Sequence, residues 1–148
     1  MRRLTLAGFL GMLEALIGLS ALPSGIILMV FSDGEKLKMP LSMLDRTPFP
    51  NFFLPGLILA SVIGLGHAVA AAMTFRRRRL RAPAGAVMGL GLMIWIFVQV
   101  SMIGGGHWLQ YLYFFLGTAE TALAVLLLMK TGISAKSFRF QSSGDESE

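Results

Sequence analysis

Residues 52–103 read FFLPGLILASVIGLGHAVAAAMTFRRRRLRAPAGAVMGLGLMIWIFVQVSMI, and this stretch decides the fold. Two apolar runs, Phe52 to Phe75 and Ala82 to Ile103, flank a short segment carrying Arg76, Arg77, Arg78, Arg79 and Arg81. A helix crosses about 30 Å of hydrocarbon in about 20 residues, so each run is long enough to span a bilayer. Working outward, Leu4 to Phe31 and Trp108 to Met129 are two more runs of the same kind. The pattern predicts an all-α membrane protein, a four-transmembrane-helix bundle.

Composition agrees. Hydrophobic residues make up 55% of the chain and charged residues 14%. That mixture is too poor in charge to cover a water-facing surface, so lipid must serve as much of the solvent. The net charge of +5 does not point to nucleic acid, because the basic residues are distributed as a topology signal. Arg2 and Arg3 precede the first run, the five arginines separate the second and third, and Lys130, Lys136 and Arg139 follow the fourth. If all four runs cross, ten of the thirteen Lys and Arg lie on one side. The other side holds Lys36, Lys38 and Arg46 among Asp33, Glu35 and Asp45. The positive-inside rule then places both termini in the cytoplasm. Glu14 interrupts the first run, which is too long for a signal peptide and lacks an Ala-x-Ala site, so it is expected to be retained. With no cysteine, disulfides and thiolate metal sites are excluded.

The expected organisation is a membrane domain over residues 1–130 and a disordered cytoplasmic tail over 131–148, ending in Ser, Gly, Asp and Glu. The first run would be about 42 Å long as a single helix, and Pro23-Ser24-Gly25 lies inside it. A kink or break near Pro23 is therefore expected. The outer loop, Ser32 to Asn51, mixes charges with leucines and methionines and is expected to lie on the membrane surface. Small residues recur at helical spacing: Ala7, Gly11, Gly18 and Ala21; Ala60, Gly64, Ala68 and Ala72; Gly85 and Gly89; Gly117 and Ala124. Small residues let helices approach in lipid, so these stripes are bundle contacts or candidate faces for a homo-oligomer or larger complex.

Three ionisable residues lie far from any helix end. Glu14 is about 16 Å of helix from Arg3, His67 about 13 Å from Arg76, and Glu120 about 15 Å from Lys130. All three thus fall near the centre of the bilayer, and each shares a face with small residues. A charge there costs roughly 2.5–3.5 kcal/mol even on lenient scales. Glu14, His67 and Glu120 are therefore the candidate ligand- or ion-binding site, able to share protons, hold a cation, line a polar pocket for a lipid-like or small organic ligand, or act as neutral interhelical glue; no metal is specified. Gln99, His107 and Gln110 form a candidate outer polar cluster. Arg76, Arg77, Arg78, Arg79 and Arg81 are candidate contacts for anionic lipid headgroups. No catalytic pair emerges, since Ser20, Ser24, Ser61 and Ser101 have no evident histidine partner. No cofactor is called for, because His67 and His107 differ too much in depth to ligate one haem.

Pro48-Phe49-Pro50 with Phe53-Leu54-Pro55-Gly56, Trp95-Ile96-Phe97-Val98-Gln99, and Trp108-Leu109-Gln110 with Tyr113 resemble segments of small bacterial four-helix integral membrane proteins of unassigned function. The resemblance implies a bacterial inner-membrane location and no particular activity. Three function classes follow from the residues: a binding or accessory component, a proton- or cation-coupled transporter or channel subunit, and a membrane enzyme acting on lipid or quinone.

Overall fold

The computed structural model describes the backbone of residues 5–144 and the side chains of residues 5–132. Helix α1 spans Leu6–Val30, α2 Phe53–Phe75, α3 Arg81–Ile103 and α4 Trp108–Gly144. Each contains a stretch long and apolar enough to cross a membrane, and the described residues contain no strand. Thr5 opens α1 by accepting the Gly8 N–H at 3.2 Å, which satisfies one of the orphan donors of a first turn. Asn51 does the same for Phe53 at 3.0 Å. Pro55 and Pro83 sit in first turns, where a missing N–H costs no intrahelical bond.

Two tight pairs, α1 with α2 and α3 with α4, pack together to make the bundle. Glycine lets the paired backbones touch. A Cβ on Gly18 would meet Ala68 N at 3.0 Å, and one on Gly25 would meet Ala60 N at 2.5 Å. In the other pair Gly89 and Gly117 face each other, each Cβ position falling within 2.9 Å of the opposite carbonyl oxygen. The small-residue stripes are thus largely occupied by contacts within the chain, while Ala68 and Ala72 of the second stripe are exposed. Three apolar layers stack along the bundle: Leu28, Leu44 and Phe52; then Ile17, Ala21, Ile63, Leu92 and Ile96; then Leu10, Ala82, Ala124 and Leu127.

The outward surface is what lipid requires. Leu19, Val87, Phe97 and Phe115 are at least 66% exposed. The outward hydroxyls of Ser61, Ser101 and Thr118 donate to the carbonyls of Leu57, Phe97 and Phe114 in their own helices, so these three donors are satisfied without water.

Three expectations need correction. The first run is not broken: α1 is continuous through Pro23, with the Ser20 and Ser24 hydroxyls donating to the Ile17 and Ser20 carbonyls at 3.0 and 2.7 Å. Neither hydroxyl bonds the Leu19 carbonyl, which Pro23 deprives of its usual N–H, and Gly25 packs directly against Ala60 of α2. The outer loop caps the bundle instead of only lying flat. Two short 3₁₀ turns, Glu35–Leu37 and Leu41–Leu44, bring Leu44 and Phe52 under cover, while Leu37 and Leu41 stay exposed. Gly34, at φ +77°, makes the turn that lets Phe52 N–H reach the Ser32 carbonyl at 2.9 Å. The fourth helix does not stop near Met129 but runs to Gly144 through most of the expected tail; extending a formed helix needs no new nucleus. Residues 145–148 of that tail lie outside the described residues.

Candidate functional site

Glu14, His67 and Glu120 are all fully buried inside the bundle. They lie between the layer of Ile17 and Ile63 and the layer of Leu10 and Ala124, so apolar side chains close the space toward both ends. His67 Nε2 and Glu120 Oε2 are 3.1 Å apart, joining α2 to α4. His67 Nδ1 lies 2.6 Å from the Ile63 carbonyl oxygen. A carbonyl only accepts, so Nδ1 carries a proton, and the Nε2–Oε2 contact holds one further proton, on either the imidazole or the carboxyl.

The Ile63 carbonyl belongs to an unusual turn. Leu59–Leu65 is wound as π-helix, a form that occurs mostly as single turns and frequently at functional sites. Ile63 also accepts the Gly66 N–H there, so His67 is oriented by the irregular turn immediately before it.

Glu14 reaches the cluster from α1. Its Oε1 rests against α3, within 2.9 Å of where a Cβ on Gly85 would stand; the glycine makes room for the carboxyl. Thr74 stands beside it, and Glu120 and His67 are near enough to interact with it electrostatically. Glu120 Oε1 is buried without a hydrogen-bond partner among the described side chains. Among the described residues no three His, Asp or Glu side chains gather closely enough to hold a metal ion. Glu14 is therefore a neighbour of the His67–Glu120 pair rather than a third ligand around one centre.

The structure gathers these three residues at one level of the bundle, and the sequence reading misses Thr74. A signal for it exists: Thr74 follows His67 by seven residues, two turns along the same face. It also misses Tyr113, whose hydroxyl donates to Ser20 Oγ at 2.7 Å and ties α4 to α1.

The outer polar residues assemble only in part. Gln110 is buried, and its side chain donates to the Gly104 carbonyl at 3.1 Å and accepts the His107 N–H at 3.3 Å. His107 is exposed and Gln99 half-buried, with no hydrogen bond from Gln99 to either. Gln110 is thus the fastening of the turn between α3 and α4. Arg76, Arg77, Arg78 and Arg79 are exposed and Arg81 half-buried, and none of them pairs with a carboxylate among the described residues.

Comparison with protein-family profiles, curated proteins and solved structures finds no match for this chain.

Proposed function

We propose that this chain is a small polytopic protein of the bacterial cytoplasmic membrane, with both termini cytoplasmic, acting as a binding or accessory component built around a proton-holding Glu14–His67–Glu120 cluster. The observation carrying this reading is the His67–Glu120 contact at 3.1 Å, fully buried with Glu14 in an interior otherwise sealed by leucine, isoleucine and alanine. Ionisable residues within membrane-spanning helices are costly and rare, so three of them at one level of the bundle mark something other than packing.

Charge balance defines what the cluster holds. A net charge at this depth costs roughly 2.5–3.5 kcal/mol or more. The neutral arrangement is reached in two ways: imidazolium with the Glu120 carboxylate, or neutral imidazole with the Glu120 acid. Glu14 is protonated in both. The cluster then stores one proton on Glu14 and shares another across the Nε2–Oε2 contact.

Proton-coupled transport is the second reading, favoured by the same buried cluster, whose carboxyl oxygens and imidazole nitrogens are the atoms a moving proton would visit. Reconstitution in liposomes separates the two. As an accessory component the protein leaves an imposed pH gradient intact, and Glu14→Gln and Glu120→Gln change its assembly or stability alone. Proton flux in the wild type, abolished by either substitution in a folded protein, would replace the accessory reading with transport. The resemblance to small bacterial four-helix proteins and the distribution of the arginines support the assigned location and orientation.

A further inference from the structure

Helices α2 and α3 form no tight pair, and an open groove of about 550 Å³ runs between them. Gly66, Ala70 and Ala84 contribute its small residues, while Leu65, Val69 and Val87 stand exposed along it. Its lining is almost wholly apolar, and none of the buried cluster belongs to it. From Ser61 to Met73 the groove follows α2 for about 18 Å of helix, a little more than one leaflet's roughly 15 Å. Leu80, within the arginine loop, is one of its lining residues.

That loop links the two walls. Arg76 to Arg79 leave α2 directly and Arg81 begins α3, so the guanidinium-bearing segment stands at one end of the apolar trough. Guanidinium groups recognise phosphate oxygens with paired N–H donors. An apolar channel of leaflet length, ending in unpaired arginines, is complementary to a molecule with an acyl tail and an anionic phosphate head. We propose that the α2–α3 groove is a binding site for one anionic phospholipid, its acyl chain lying along Gly66, Val69 and Ala84 and its phosphodiester held by Arg78, Arg79 and Arg81. The groove is independent of the Glu14–His67–Glu120 cluster.

The test is native mass spectrometry of the full chain released from nanodiscs of equal phosphatidylglycerol and phosphatidylcholine. One retained phosphatidylglycerol is expected, favoured about tenfold over phosphatidylcholine. Arg78→Gln with Arg79→Gln, which keeps three arginines as the topology signal, is expected to bring the two lipids to parity. Ala84→Phe is expected to remove the retained lipid of either kind; helical content and monomer mass check that it folds. Equal retention of both lipids by the wild type would overturn the proposal, as would a tenfold preference surviving the double arginine substitution. A stable dimer crosslinked from Val69 to Val87 would also overturn it, by giving the groove to a second copy.

Discussion

Replacing His67 with leucine exchanges an imidazole for a side chain that cannot hydrogen-bond, within a fully buried site. Glu120 Oε1 is already bare, and losing Nε2 at 3.1 Å leaves both oxygens without a partner. Abandoning a buried polar group costs about 1–3 kcal/mol, more if it is charged. The Ile63 carbonyl loses little, since it keeps the Gly66 N–H. Replacing Glu120 with leucine is milder: it strands one imidazole nitrogen but also removes an oxygen that had no partner. Interhelical hydrogen bonds inside membranes average about 0.6 kcal/mol and reach about 1.7. The expected losses are therefore about 2–3 kcal/mol for His67→Leu and about 1 kcal/mol for Glu120→Leu. Removing both partners of a buried pair is often nearly neutral, so the double variant should be less destabilised than His67→Leu alone. The assay is reversible unfolding in mixed micelles followed by the fluorescence of Trp95 and Trp108. Additive losses, or a larger loss from Glu120→Leu than from His67→Leu, would refute the reasoning.

Gly89→Leu should separate α3 from α4, because its Cβ would stand 2.5 Å from Thr121 Oγ1 and 2.8 Å from the Gly117 carbonyl; overpacking of this kind costs about 1–3 kcal/mol, read in the same unfolding assay. Tyr113→Phe removes one α1–α4 hydrogen bond and should cost about 0.6 kcal/mol, while Ser20 keeps its bond to Ile17. Gln110→Leu should cost about 1 kcal/mol and speed hydrogen exchange at residues 104–111, leaving exchange around His67 unchanged.

The four spans are legible because hydrocarbon imposes a length and forbids charge, and both constraints act on local sequence. The common depth of Glu14, His67 and Glu120 follows from the same regularity, since a fixed rise per residue converts sequence distance into height. What depends on lateral neighbours is not legible. Nothing within residues 108–129 announces that Tyr113 meets Ser20, and no composition signal marks the π-helical turn at Leu59–Leu65. The kink or break expected near Pro23 weighs proline's lost hydrogen bond without the α2 contact at Gly25 that accompanies a single helix through it. Leu44 and Phe52 become core residues only when the loop folds back, a tertiary event that local amphipathicity reads as surface.

The chain has two histidines, so His107→Gln leaves His67 as the sole imidazole. Nitrogen-15 solid-state NMR of that variant in lipid bilayers isolates the pair on which the account rests. The account predicts a protonated Nδ1 in a strong hydrogen bond and an Nε2 signal displaced by Glu120→Gln. An unprotonated Nδ1, or two nitrogen signals indifferent to Glu120→Gln, would contradict it.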